Sequence, residues 1–268
     1  MDVNDYAGGV LVEDEWAVDV GEALSEMQRR REVCGEGYPF AVDTNGNFAR
    51  YDPRAMPEKA VLYKFLLLAT RLDMSKLESR QHAGKDGTVL FEYVAAEVTR
   101  MYLGPRAEKM NFGANVDNTD FASRVEELCQ RLGEGEGFRD EYTHGHHMKD
   151  DKLDIVLWKS FADRLAGQLI VFGQCKTGTS YQNTLGELHP EAFCGQWLLA
   201  QPAVAPLRFF LIADALSPLE FERSARRAGV LFDRCRIIDF CDALDQDVLD
   251  QVSDWTAAAA HFADLPIC

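Results

Sequence analysis

The sequence predicts a mixed α/β fold in which helices flank a central sheet. Two short apolar stretches, 151–158 and 167–176, are rich in Ile, Val and Phe and are joined by a polar loop, which is typical of two neighbouring strands. From residue 87 onward, helical stretches alternate with strand-like ones, which favours a mixed sheet covered by helices. The chain has 268 residues, of which 47% are hydrophobic, and this is ample for one sizeable core.

Residues 1–84 are predicted to form a mainly helical N-terminal extension. A helix over 14–31 is followed by glycines, a proline and a short extended piece at 38–43. A second helix after Pro57 is predicted by apolar residues that recur at helical spacing. A polar stretch with two glycines then separates the extension from a main domain over 85–268.

The main domain begins with a predicted helix over 87–104, whose apolar residues recur at helical spacing and which ends at Gly104. The helix carries Glu92 and Glu97, which lie about 140° apart around its axis, so at most one of them can face a given site. After it we expect, in chain order, a strand (108–115), a helix capped by Asp117 or Asn118 (119–132), the two strands above, a helix (190–199), a strand (207–213), a helix (218–228), a strand within 230–240 and a closing helix (242–263).

Polar residues stand out at the ends of the two neighbouring strands, which we predict to form an antiparallel hairpin. Asp154 lies where the first strand begins, and Gln174 and Lys176 lie two residues apart at the end of the second. Side chains two apart on a strand point to the same face, so the pairing can bring a carboxylate, an amide oxygen and an ammonium to one edge of the sheet. This combination is typical of a metal-and-phosphate site. Cys175 would point to the opposite face and is predicted to be a core residue.

Composition and charge exclude several classes of protein. No apolar run approaches the roughly 18 to 20 residues that cross a bilayer, and the acidic start lacks a signal-peptide pattern, so we expect a cytoplasmic protein with no membrane partner. The 7 cysteines are scattered without a CxxC pair, which indicates neither a disulfide framework nor a structural zinc site. The net charge of −16 opposes nucleic-acid binding, unless a locally basic groove or a partner protein supplies the grip.

Taken in order, the polar residues resemble a known nuclease motif. A helix with Glu92, then Asp154 at a strand start and Gln-Cys-Lys at 174–176, resembles the PD-(D/E)XK superfamily, in the variant where Gln replaces the middle acidic residue (QxK). The resemblance covers about residues 87–240 and implies a restriction-endonuclease-like fold for the sheet and its helices. The proline of the family name is absent, since Leu153 precedes Asp154.

A narrower resemblance points to a biological setting. Phe91-Glu92, the strand 153–158 and Gly-Gln-Cys-Lys-Thr-Gly at 173–178 resemble nuclease-like proteins of bacterial anti-phage defence. The preceding Phe91 favours Glu92 over Glu97 as the functional glutamate. The resemblance also implies a protein partner, such as a helicase or ATPase subunit.

The superfamily resemblance implies a divalent metal, Mg²⁺ or Mn²⁺, and a role for each residue. Asp154 would be the main metal ligand, with the side-chain oxygen of Gln174 and the backbone carbonyl of Cys175 as further ligands. Glu92 would complete the metal shell, directly or through water. Lys176 would orient or deprotonate the attacking water, or stabilise the charge of the phosphate. The implied enzyme is a metal-dependent nuclease that hydrolyses phosphodiester bonds, with DNA as the expected substrate.

Two other functions are compatible with the same residues. One is a catalytically weak nuclease-like subunit that binds nucleic acid or regulates a partner protein in a defence complex. The other is a plain α/β interaction protein, in which Asp154 and Lys176 form a structural ion pair. Further candidates are a transition-metal site at His144, His146 and His147, phosphate contacts from Arg29, Arg30 and Arg31, and the isolated nucleophiles Ser160, Ser180 and Cys194; Trp158 and Trp197 are predicted core residues.

Overall fold

The computed structural model describes residues 7–42, 49–51, 58–113, 119–140 and 152–263. Its N-terminal part contains α1 (Ala7–Cys34), β1 (Phe40–Val42), β2 (Ala49–Tyr51), α2 (Glu58–Arg71), α3 (Leu77–Arg80), β3 (Gln81–His82) and β4 (Lys85–Asp86). The strands pair as two small antiparallel hairpins, β1 with β2 and β3 with β4.

The rest of the described chain builds the main sheet and its helices. Its elements are α4 (Gly87–Leu103), β5 (Ala107–Asn111), α5 (Phe121–Leu132), β6 (Ile155–Lys159), β7 (Leu169–Lys176), α6 (Pro190–Trp197), β8 (Leu207–Ile212), α7 (Pro218–Ala228), β9 (Val230–Phe232), α8 (Arg234–Asp239) and α9 (Gln246–Phe262). Strands β5 to β9 form one sheet in chain order. The pairs β5–β6 and β6–β7 are antiparallel, whereas β7–β8 and β8–β9 are parallel. The predicted α/β class with a mixed central sheet is therefore confirmed.

The predicted antiparallel hairpin is formed by β6 and β7. Its register pairs Ile155 with Gly173 and Lys159 with Leu169. Glycine is needed in this pairing, because a Cβ at position 173 would lie 2.5 Å from Cγ1 of Ile155. The first four residues of β6 are all buried, since helices cover the sheet on both sides.

Each face of the sheet packs against its own set of helices. On one face, Leu157, Val171 and Cys175 belong to a cluster with apolar residues of α2, α4 and α9. On the other face, Trp158 and Phe172 pack with apolar residues of α5 and α6. No helix of the described chain is long and apolar enough to cross a membrane.

The N-terminal extension and the main domain share one hydrophobic core. Helix α2 buries Leu62 and Phe65 in the same cluster as Trp255 of α9, and the ring centroids of Phe65 and Trp255 are 5.1 Å apart. The indole N–H of Trp255 donates a hydrogen bond to the carbonyl of Arg80 at 2.8 Å. The boundary predicted near residue 84 therefore does not coincide with a break in the core.

The start of α5 differs from the prediction. Asp120 is its N-cap, because Oδ1 of Asp120 accepts a hydrogen bond from the backbone N–H of Ser123 at 3.0 Å. The predicted caps, Asp117 and Asn118, lie outside the described residues, and they precede a helix that begins at Phe121.

The strand predicted within 230–240 is β9, which occupies only the start of that range. It ends at Phe232, because the side chain of Asp233 accepts a hydrogen bond from the backbone N–H of Arg236 and begins the short helix α8. The apolar pair Ile237 and Ile238 is buried from this helix, which explains why the segment has a strand-like composition.

Candidate active-site cleft

Asp154 is held just before β6 by backbone hydrogen bonds. Its carbonyl oxygen accepts from the N–H groups of Phe112 and Gly113, both at 2.8 Å, and its own N–H donates to the carbonyl of Gly173 at 3.0 Å. Oδ2 of its carboxylate accepts from the N–H of Cys175 at 2.6 Å. Since the residue is only 8% exposed, the carboxylate is fixed between the end of β5 and the end of β7.

Glu92 approaches the same place from α4. Its neighbour Phe91 is fully buried in the core, which fixes this turn of the helix, while Glu92 itself is half-buried. A Cβ on Gly113 would lie 3.0 Å from Oδ1 of Asp154 and 3.3 Å from Oε2 of Glu92. The two carboxylates therefore border the same small space, which glycine at position 113 leaves open.

The charges of this region act on the buried thiol of Cys175. Burial raises the pKa of this thiol well above its ordinary value, and the negative charges of Asp154 and Glu92 raise it further. The positive charge of Lys176 acts in the opposite direction. The thiol therefore stays protonated near neutral pH, and the predicted core position of Cys175 is confirmed.

Glu92, Asp154 and Lys176 line one cleft with a volume of about 670 Å³. This volume lies in the range of ligand pockets, roughly 300 to 1,000 Å³. Lys176 is half-buried at the end of β7, and its ammonium makes no hydrogen bond or ion pair with any described residue. The Asp154–Lys176 ion pair required by the structural alternative is thus absent from the described part of the chain.

Two segments that sequence reasoning left out of the site also line the cleft. One is the end of α2 with the turn after it, Thr70 to Ser75, and the other is Thr177 to Ser180, directly after β7. The Thr-Gly-Thr-Ser run could have been noticed, because it places hydroxyl groups next to Lys176 in the sequence. The end of α2 carries no such signal, since only the folded chain brings it to the cleft.

Gln174 lies apart from the cleft. It is fully buried and pairs in register with Phe210 of β8, whose side chain belongs to an apolar cluster on the far side of the sheet from α4. Its Nε2 is 3.5 Å from Oε2 of Glu187, and its Oε1 has no hydrogen-bond partner among the described residues. Gln174 therefore does not line the cleft that contains Asp154 and Lys176.

The alternation of side chains along β7 explains this placement. Cys175 faces α4 and packs in the cluster that contains Phe91, so Gln174 must point to the opposite face. By the same alternation Lys176 would point to the face of Gln174. It is the last residue of the strand, however, and it lines the cleft from the edge of the sheet. Of the four predicted catalytic residues, the cleft contains the two carboxylates and the lysine.

Glu97, the alternative to Glu92, has a different environment. Its carboxylate lies 2.6 Å from Nζ of Lys109 and 2.9 Å from Nε of Arg100. The residue is 5% exposed and does not line the cleft. Glu97 thus belongs to an ion-pair network that ties α4 to β5, and Glu92 is the glutamate of the cleft.

Most of the other candidates have structural roles or lie outside the described residues. His144, His146 and His147 lie outside the described residues. Ser160 donates a hydrogen bond from Oγ to Gln168, and Cys194 is fully buried. Trp158 and Trp197 are buried, as predicted.

The arginine run at the end of α1 mainly supports the fold. Arg29 and Arg30 both pair with Glu26 at 2.7 Å, and both donate to backbone carbonyls just before α7. Arg31 is exposed. The run therefore anchors α1 to the main domain.

Similarity to known proteins adds no assignment for the cleft. Within the described ranges, no group of three or more His, Cys, Asp or Glu side chains is arranged to hold a metal ion, so a metal here would depend on two carboxylates, backbone oxygens and water. Comparison of the chain with protein-family models, curated proteins and solved structures finds no match. The superfamily resemblance accordingly stays a prediction that depends on the cleft residues.

Proposed function

We propose that this protein is a divalent-metal-dependent nuclease that hydrolyses phosphodiester bonds, with DNA as its substrate. One observation carries the proposal: a single open cleft is lined by Glu92, Asp154 and Lys176, and the ammonium of Lys176 makes no hydrogen bond or ion pair with any described residue. Two carboxylates beside an available cation are the groups that bind a metal and an anionic substrate together. The antiparallel β5–β6–β7 strands followed by parallel β8 are compatible with the restriction-endonuclease-like fold that the motif suggests.

The donor atoms of the cleft suit Mg²⁺ or Mn²⁺. Oδ1 of Asp154 and Oε2 of Glu92 border one point beside Gly113, and both are hard oxygen donors. Mg²⁺ keeps several of its waters, so these two carboxylates, with the carbonyl of Cys175 as a third donor, are enough to hold it. When bound, such a metal lowers the pKa of a coordinated water and polarises the phosphate. Gln174 is not included in this set because it points to the other face of the sheet.

The chain's own groups have separate tasks in this proposal. The N–H of Cys175 holds Oδ2 of Asp154, so the carboxylate keeps its orientation when substrate binds. Lys176 donates hydrogen bonds to the attacking water or to the phosphate oxygens and offsets their negative charge. The hydroxyl groups of Thr177 to Ser180 lie in the same cleft and can donate to neighbouring phosphates.

A second candidate function is nucleic-acid binding or partner regulation without efficient hydrolysis. The position of Gln174 favours it, because a metal in the cleft lacks the side-chain ligand that the motif provides. For either function, the setting we infer from the motif alone is a bacterial anti-phage defence system, with a helicase or ATPase subunit as the protein partner. A partner of this kind would also supply the basic surface that a chain with a net charge of −16 lacks.

Cleavage assays with matched variants test the proposal. Plasmid and single-stranded DNA would be incubated with Mg²⁺ or Mn²⁺ and with wild type, Asp154→Asn or Lys176→Ala, and Lys85→Ala serves as an exposed-lysine control. Loss of a catalytic group typically lowers the rate by about 10²- to 10⁴-fold. Metal-dependent cleavage that is lost in both cleft variants and kept in the control supports a nuclease. DNA binding without cleavage under any metal condition supports the second function. The absence of both DNA binding and cleavage contradicts the nuclease and the nucleic-acid-binding function.

A further inference from the structure

Arg71 is an available cation on the part of the cleft formed by the N-terminal extension. It is the last residue of α2, its side chain is exposed, and it lines the same cleft as Glu92 and Asp154. It makes no hydrogen bond or ion pair with any described residue. By contrast, Arg80 nearby in the sequence is paired with Asp86 at 3.0 Å. Arg71 is thus not needed to hold the described fold together.

The backbone that carries Arg71 is firmly held. The preceding residue, Thr70, accepts a hydrogen bond at Oγ1 from Nη2 of Arg234 at 3.1 Å. Arg234 is 2% exposed, stacks over the ring of Tyr63 at 5.2 Å and donates from Nε to the carbonyl of Ala213 at 2.9 Å. Buried groups therefore fix the end of α2, and with it the backbone position from which the side chain of Arg71 extends at the cleft.

The local charges leave Arg71 as the cation of this segment. Asp73 also lines the cleft, but Oδ1 of its carboxylate accepts from the N–H and the hydroxyl of Ser75, at 3.2 and 2.6 Å. The other oxygen of Asp73 lies 3.4 Å from Nζ of Lys76. The negative charge of Asp73 is therefore already partly balanced, and Arg71 is left to meet an anion that enters the cleft.

We infer that Arg71 binds a backbone phosphate of the nucleic-acid strand, next to the phosphate that is cut. This inference rests on the nuclease or nucleic-acid-binding function proposed above. An arginine is always protonated, and its planar fork matches two phosphate oxygens, so it suits this role better than a lysine. The hydroxyls of Thr179 and Ser180 are exposed in the same cleft and supply neutral donors to the same strand. The substrate strand would thus be gripped jointly by the N-terminal extension and the main domain.

Binding of a labelled single-stranded oligonucleotide tests this inference. All variants keep Asp154 and are measured in the presence of Mg²⁺, and the oligonucleotide carries phosphorothioate linkages that resist cleavage. Fluorescence anisotropy is measured over a range of salt concentrations. Arg71→Ala should weaken binding about tenfold, as expected for loss of one charge-assisted contact, and should lower the slope of log K against log salt by about 0.7 to 0.9. Arg71→Lys should restore the slope and part of the affinity, because it keeps the charge. The control Arg223→Ala removes an exposed arginine of α7 that does not line the cleft, and it should change neither quantity.

The outcomes separate this inference from the function on which it rests. With an unmodified DNA substrate, Arg71→Ala should raise KM more than it lowers kcat, which general loosening of the fold would not produce. Unchanged affinity and salt slope in Arg71→Ala, with cleavage by wild type, overturn the inference and leave the nuclease standing. If the wild-type chain neither binds nor cleaves nucleic acid, both the inference and the function on which it rests are overturned.

Discussion

Replacing Glu97 with Gln should destabilise the fold, whereas replacing Glu92 with Gln should impair metal binding and cleavage. The side chain of Glu97 is only 6% exposed and meets two cations, Lys109 and Arg100. Breaking a fully buried ion pair costs about 3 to 5 kcal/mol, because the remaining charge is left without a partner. Here the side chains of Lys109 and Arg100 are 28% and 35% exposed, so water can solvate them in the variant. We therefore expect a smaller loss of unfolding free energy, about 2 kcal/mol.

Urea unfolding of the two variants measures this contrast. Glu97→Gln should lower the unfolding midpoint at an unchanged slope, since the surface exposed on unfolding stays the same. Glu108→Gln is the matched control, because Glu108 lies on β5 beside Lys109 but is exposed, and its replacement should change stability by less than about 0.5 kcal/mol. Mn²⁺ binding, followed by calorimetry, should weaken in Glu92→Gln and stay at the wild-type value in Glu97→Gln.

The reverse pattern would refute the reasoning. If Glu97→Gln unfolds at the wild-type midpoint, its two short contacts contribute nothing to stability. If that variant loses Mn²⁺ binding while Glu92→Gln keeps it, the roles given to the two glutamates are exchanged, and the cleft described above is not the metal site.

Three further predictions follow from the packing of individual residues. Gly113→Ala should weaken Mn²⁺ binding and cost about 1 to 3 kcal/mol of stability, because the added methyl lies 3.0 Å from Cα and Oδ1 of Asp154. The control Gly186→Ala should do neither, because nothing lies within 4 Å of its added methyl. Equal effects at the two sites would contradict the geometry. The buried, raised-pKa thiol of Cys175 should resist iodoacetamide in the native protein at pH 8 and react only after denaturation, and mass spectrometry that finds rapid native labelling would exclude its core position. Phe65→Ala should lower the stability of the whole chain by about 3 to 5 kcal/mol in a single urea transition, whereas two separate transitions would show that residues 1–84 fold independently.

Local sequence patterns were sufficient to predict most of the elements around the cleft. The β6–β7 hairpin follows from its apolar composition, and α4 follows from the spacing of Leu90, Val94 and Val98, all of which are buried. The strand within 230–240 was predicted without its end, because Ile237 and Ile238 fit a buried strand as well as a short buried helix, and the Asp233 cap decides between them. Composition alone does not distinguish a buried strand from a short buried helix at this position.

Three parts of the site depend on tertiary structure, which a local pattern does not provide. The contribution of Arg71 requires α2 to pack beside α4, and nothing within α2 indicates its partner. The choice between Glu92 and Glu97 requires knowledge of where Lys109 lies after β5 has paired. For Gln174, alternation correctly separates it from Cys175, but which face turns towards α4 is set by the packing of the whole sheet.

The charge of the cleft suggests how so acidic a chain could act on nucleic acid. The charged residues that line it in the described chain are Arg71, Asp73, Glu92, Asp154 and Lys176, and together they carry a formal charge of −1. A polyanion would gain little from entering a cleft of that charge, whereas one divalent cation at Glu92 and Asp154 would reverse its sign. Nucleic-acid binding itself, and not only hydrolysis, should then depend on the metal. On this reasoning the net charge of −16 is compatible with a nucleic-acid substrate, because few of the described acidic residues line the cleft and the metal supplies the positive charge where the strand is held.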